Sequence, residues 1–174
     1  MSNLKNKSVS IIGGGIFGCE IAIALDSVGI SVNLFEMNSN LLTGASKNNQ
    51  NRLHLGFHYP RDIKTGHQCV KGFDTFSKKY KEAIYKDFKN AYFISDQNSK
   101  ISVNDYYQFC KKLDVDHVKI KSLDFPVQIN GAENGIVCNE FVYDTEILRD
   151  LIYKKIKNSR IKLFLDNRVQ DAKK

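Results

Sequence analysis

The stretch VSIIGGGIFGCEIAIAL, residues 9–25, constrains this chain more than any other. A β-branched run, Ser8–Ile12, has the pattern of a buried parallel strand, and an apolar run of helical spacing begins at Ile16. Between them Gly13, Gly15 and Gly18 fall on G-x-G-x-x-G, with Ile16 and Phe17 ahead of the last glycine. Each glycine has a mechanical task. Gly13 turns the chain sharply out of the strand, Gly15 leaves room for a pyrophosphate, and Gly18 lets helix and strand approach closely. The free N–H groups of the helix's first turn, aided by its dipole, then face the phosphates.

The residues that follow supply the context this motif requires. Helical spacing runs to about Val28, and Gly29 stops it in the C′ position. Ser31–Phe35 reads as a second strand with Glu36 at its carboxyl end, which makes a βαβ unit with parallel strands. A carboxylate there accepts both hydroxyls of an adenosine ribose and repels a 2′-phosphate, which disfavours NADP. The motif by itself leaves FAD and NAD open. Lys5 and Lys7 ahead of an apolar run mimic a secretion signal. Three glycines and Glu20 interrupt that run, and no small-residue cleavage site precedes Asp26, so a cytoplasmic location is expected.

Composition narrows the function classes. The net charge of +7 comes mostly from scattered lysines, with no dense basic block interleaved with aromatics. That pattern describes solvated faces rather than a nucleic-acid surface, and its field favours anionic cofactors and a small-molecule acidic substrate. Cys19, Cys69, Cys110 and Cys138 form no CxxC pair and have no histidine at ligand spacing, so they read as small buried hydrophobes and no metal site is expected. No run of about 18 apolar residues exists, so no membrane span is expected.

Downstream, residues 37–61 form a long polar connection, and connections of that length usually carry function. Residues 64–83 read as a helix whose stripe Cys69, Phe73, Phe76 and Tyr80 packs into a core. A strand is expected over 91–95, and a helix over 103–113 capped by Ser102 or Asn104. Residues 118–129 and 136–142 alternate as antiparallel strands. Residues 145–156 are an amphipathic helix, where Asp144 and Glu146 complement the helix start, 161–165 a strand, and Val169 the start of another.

The segment TGASKNNQNRLHLGFHYPRD, residues 43–62, resembles the flavin-proximal loop of the D-amino-acid oxidase superfamily of FAD-dependent oxidoreductases. Its continuation, with QCVKGFDTFSKKY at 68–80, is most similar to the branch that includes L-2-hydroxyglutarate oxidases. The stretch GIVCNEFVYDTEILRDLIYKKIKNSRIKLFLDNRVQDA, 135–172, is similar to the place where that superfamily's chain returns from its substrate domain. The resemblance touches nearly the whole chain, and because family members are considerably longer it covers an N-terminal portion only. It implies an α/β fold: a Rossmann-like FAD-binding domain with a parallel sheet, plus part of an antiparallel α+β substrate domain. On that view 1–85 carry the FAD-binding βαβ segment and flavin loop, 86–142 a partial substrate domain, and 143–174 the return.

Carried over residue by residue, the resemblance brings Gly13, Gly15, Ile16, Phe17 and Gly18 to the FAD pyrophosphate and Glu36 to the ribose. Gly44, Ala45 and Ser46 approach the phosphates, Asn51, Arg52 and Leu53 lie along the isoalloxazine, and Val169 faces the adenine. Asn51 and Arg52 depart from the small residues common there. His54 falls near the flavin edge, and an imidazole titrating near neutrality suits a base. Arg52 or Arg61 could clamp a substrate carboxylate. The implied reaction is oxidation of a CH–NH or CH–OH carbon of an amino or 2-hydroxy acid by hydride transfer to flavin. A non-catalytic nucleotide-binding or interaction module and an NAD-binding dehydrogenase fragment are the alternatives.

Overall fold

The computed structural model describes residues 7–171, so Lys5 lies outside the described residues. In chain order the first elements are β1 (Ser8–Ile12), α1 (Ile16–Ser27), β2 (Ser31–Phe35), β3 (Arg52–Leu53), α2 (Ile63–Lys79), β4 (Ile84–Tyr85) and β5 (Asn90–Ser95). They are followed by α3 (Val103–Leu113), β6 (His117–Lys121), β7 (Ala132–Cys138), β8 (Phe141–Tyr143), α4 (Thr145–Lys157) and β9 (Lys162–Phe164). The chain divides into two compact units, Met1–Asn51 with Asp144–Lys174, and Arg52–Tyr143.

The first unit is α/β, with a parallel sheet in the order β1-β2-β9. Its central strand β2 buries Val32 and Leu34, and Phe35 stacks on Phe164 of the neighbouring strand with centroids 4.7 Å apart. Helix α1 presents the small Cys19 and Ala22 inward, both fully buried. Helix α4 buries Leu148, Ile152 and Ile156 at i, i+4, i+8, each worth roughly 1.5–3 kcal/mol relative to exposure. Asp144 caps it by accepting from the N–H groups of Glu146 and Ile147, and the first-turn acid Glu146 pairs with Arg149.

The second unit holds two antiparallel sheets, β3-β8-β4 and β5-β7-β6. Its main core joins Phe57 to Tyr106, Phe109, Cys110 and Leu113 of α3 and to Ile136 and Cys138 of β7. Ser102 and Asp105 cap α3 reciprocally, so Ser102 rather than Asn104 is the cap. Phe73 and Phe76 pack on Phe141 and Tyr143 while Tyr80 is buried, as the aromatic stripe requires; Cys69 is only half-buried.

Three expectations are corrected. The strand beginning near 118 ends at Lys121, because a 3-10 turn over Ser122–Asp124 and then Pro126, which lacks an N–H, break the ladder. The single strand expected over 136–142 is two, because the chain leaves one sheet at Cys138 and joins the other at Phe141. Val169 begins no strand; it lies in the loop after β9. The boundary between the two compact units falls after Asn51, where β3 pairs with β8 and α2 packs on α3.

Candidate functional site

In the first unit the glycine turn is assembled from backbone. Gly13 has φ +106°, a conformation that favours glycine, and its N–H donates to Phe35 O at 2.8 Å. At Gly18 a Cβ would meet Gly13 O at 2.0 Å, so the close approach of helix and turn requires glycine. Gly14, unassigned by the motif, is also constrained, though by side chains: a Cβ there would lie 2.5 Å from Leu41 Cδ2 and 3.0 Å from Glu36 Cβ. Gly15 differs from all three. Its φ of −69° suits any residue, and an added Cβ would meet only Ser46 Oγ, at 3.4 Å. The fold itself does not require glycine at 15.

Helix geometry leaves the N–H groups of Ile16, Phe17 and Gly18 without an intrahelical carbonyl. That of Ile16 donates to Ser46 Oγ at 3.0 Å, which brings Ser46 to the head of α1. The turn that presents Ser46 is closed by donation from Lys47 N and Asn48 N to Gly44 O, and from Asn49 Nδ2 to Ala45 O. A Cβ on Gly44 would meet nothing within 4 Å, and Phe17 is 81% exposed.

Glu36 is buried at the carboxyl end of β2. Its Oε2 accepts from Gly14 N at 2.7 Å, and its Oε1 from Asn38 N and Nδ2, both at 2.9 Å. A carboxylate has about four acceptor positions, so one remains on Oε2. The loop after β9 is laced to this point by Asn167 N donating to Glu36 O and Asp166 N to Asn38 O. Gly13, Glu36, Asn167 and Val169 thereby line one pocket of about 200 Å³. It opens beyond the carboxyl ends of parallel strands, where open α/β sheets bind ligands.

In the second unit the sequence-predicted residues gather around a glutamate that sequence reasoning missed. Glu140, fully buried, accepts from Arg52 Nη2 at 2.8 Å and Tyr92 Oη at 2.6 Å through Oε2, and from Leu55 N at 2.7 Å through Oε1. Arg52 Nη2 also donates to Tyr92 Oη at 3.0 Å, with the guanidinium over the Tyr92 ring. His54 Nδ1 lies 3.4 Å from Tyr92 Oη and 3.6 Å from Glu140 Oε2, and its ring stacks on His58. The loop carrying both histidines is seated on α2 by Gly56, whose Cβ would fall 2.6 Å from Gly66 O.

Burial alone would raise the Glu140 carboxyl, but hydrogen bonds from His54, Tyr92 and Leu55 N reverse the balance and hold it below its ordinary value. Burial, then the bond to Glu140 and its charge, pushes the Tyr92 phenol up, so it keeps its proton. Burial likewise pushes the Cys19 and Cys138 thiols up to about 12 and Cys110 up to about 11, which leaves them inert. Arg52 is engaged through Nη2 with both Glu140 and Tyr92. Its Nε is buried without a partner, as is Oδ1 of Asn51, which takes a left-handed φ of 51°. Leu53 sits in β3 opposite Phe141. Among the described residues no group of three His, Cys, Asp or Glu could hold a metal, and no helix is long and apolar enough to cross a membrane.

A βαβ unit with this turn, this acid and this pocket defines a dinucleotide-binding protein. The family model for FAD dependent oxidoreductases matches residues 8–173, and the chain belongs to that family, whose cofactor is FAD. It is 44% identical over 99 residues to the FAD-dependent monooxygenase FPY4 of Fusarium mangiferae, across 57% of this chain and 27% of that protein. Its fold is similar to an L-alpha-glycerophosphate oxidase from Mycoplasma pneumoniae with FAD bound, with TM-score 0.74, 15% identity, and 92% of this chain on 44% of that one. It is also similar to an L-proline dehydrogenase from P. horikoshii, with TM-score 0.73, 17% identity, and 95% on 46%. The chain thus spans about a quarter of the curated relative and under half of either solved structure.

Proposed function

We propose that the chain is the N-terminal portion of an oxidoreductase, in which the first unit holds FAD and the second contributes the base. Gly15 carries this reading, because glycine there answers to no demand of the fold and stands beside Ser46 at the helix start. The pyrophosphate would lie along Gly13, Gly15, Ile16, Phe17 and Gly18 with Gly44, Ala45 and Ser46. Glu36 would take the ribose on its remaining acceptor position, and Val169 would meet the adenine. Asn51, Arg52 and Leu53 are assigned to the isoalloxazine by the resemblance. When bound, FAD supplies a two-electron acceptor.

The substrate class is an amino or 2-hydroxy acid, oxidised at the CH–NH or CH–OH carbon. Support comes from the name of one solved relative, an L-proline dehydrogenase, and from a net charge of +7 that draws anions. His54 removes the substrate proton. A second reading, monooxygenation, is favoured by the name of the 44%-identical relative.

The test is a titration of the purified chain with FAD, followed by flavin absorbance, alongside Gly15→Ala. FAD should bind the parent chain, and the variant should bind at least tenfold more weakly, about 1.4 kcal/mol, with its fold intact. Equal affinity in the two proteins, or preference for NAD, would overturn the assignment.

A further inference from the structure

The cluster around Glu140 has a proton inventory that closes in only one way. Tyr92 Oη has one proton and two lone pairs. Its 2.6 Å contact with Glu140 Oε2 needs a proton between the two oxygens, and the carboxyl, held below its ordinary value, does not supply it. The phenol proton is therefore spent on Glu140. Arg52 Nη2 donates into one lone pair of Tyr92 Oη, at 3.0 Å. The remaining lone pair faces His54 Nδ1, at 3.4 Å, and the carboxylate oxygen beside it, at 3.6 Å, is also an acceptor. A lone pair on Nδ1 would confront two acceptors, whereas a hydrogen there meets both.

We infer that Tyr92 and Glu140 are positioning residues that fix His54 in its Nδ1–H tautomer and so make Nε2 the proton-accepting nitrogen. The second ring nitrogen, Nε2, stands outside this network, and the His54 side chain keeps 26% of its exposure. A proton taken by Nε2 makes an imidazolium whose charge lies beside the buried Glu140 carboxylate, so the acceptor is stabilised at the moment it becomes cationic. The proton leaves a substrate O–H or N–H bond and stays on Nε2; no electrons change hands at the protein. The use of this nitrogen in catalysis rests on the reading of His54 as the base, whereas the tautomer itself does not.

Long-range proton–nitrogen correlation on the 15N-labelled chain, at a pH where the imidazole is neutral, reads which ring nitrogen bears hydrogen, with His54→Gln assigning the signals. The parent chain should show a pyrrole-type shift at Nδ1 and a pyridine-type shift at Nε2. Tyr92→Phe removes the facing acceptor, and Glu140→Gln frees the phenol proton to point at Nδ1, so each should shift population toward Nε2–H. A parent chain already in the Nε2–H form would overturn the inference. So would unchanged ring shifts in Tyr92→Phe with an intact amide spectrum, a result that decides even if Glu140→Gln fails to fold. Flavin titration of the same samples separates the two readings. A parent chain without FAD affinity sinks the cofactor assignment and leaves the tautomer standing, while FAD binding with the reversed tautomer does the opposite.

Discussion

The chain buries two glutamates in surroundings of opposite kind. Glu36 is held by neutral donors, Gly14 N and the amide groups of Asn38, and keeps one acceptor position. Glu140 is shut in completely by Arg52, Tyr92 and Leu55 N, with His54 at its side. The first carboxylate stands beside the glycine turn, at the carboxyl ends of parallel strands. The second is held by a guanidinium and a phenol with an imidazole beside it, so its charge bears on side chains of its own unit. The kind of donor, more than the number of hydrogen bonds, separates the two acids: neutral amide N–H groups hold Glu36, while charged and titratable side chains surround Glu140.

The sharpest way to break this contrast is Arg52→Leu, which leaves Glu140 charged and uncompensated. The second unit should lose about 3–5 kcal/mol in urea unfolding. A loss below about 1 kcal/mol would put Glu140 in the same class as Glu36. Acid should act next. Since the folded carboxyl of Glu140 lies below its ordinary 4.5, its contribution is present above that value and disappears as pH falls through the folded value. Thermal melts should therefore weaken below about pH 4.5, and Glu140→Gln should flatten that limb. Glu36→Gln should weaken FAD by about 1.5–3 kcal/mol, the range for hydrogen bonds to a charged group, as read by calorimetry. The smallest effect sharpens the picture most: Gly15→Ala should change the melting free energy by no more than about 0.5 kcal/mol, as at an unconstrained site. Gly18→Ala, driven into Gly13 O, should cost far more in the same melt.

The first of these regions was legible in the sequence and the second was not. The turn, the helix, β2 and Glu36 are neighbours along the chain, and their spacing alone states a βαβ cradle. Gly14 escaped because its constraint comes from Leu41, in a loop whose course no periodicity describes. Glu140 escaped for a related reason: its partners lie on β3, on β5 and in the loop after β3, far apart in the sequence. One local signal was available. VCNEFVY places an acid beside Asn139, between the apolar pairs Val137–Cys138 and Phe141–Val142 of a strand-forming run, where an unpaired carboxylate would be costly. The same residue marks where the chain changes sheets, which is why one long strand was expected and two short ones stand there.

The pairing of β3 with β8 has a consequence for how the chain folds. Arg52 lies opposite Val142 and Leu53 opposite Phe141, so the inserted unit begins and ends side by side. Joining Asn51 to Asp144 through a disordered segment of that length would carry a loop-closure entropy on the order of 4 kcal/mol. Once Arg52–Tyr143 has folded, that entropy is already lost, and β9 can reach β2 as if the two were near neighbours. The pocket beside Glu36 is lined from both sides of that insertion, by Gly13 before it and by Asn167 and Val169 after it, so its two walls are brought together by the same closure.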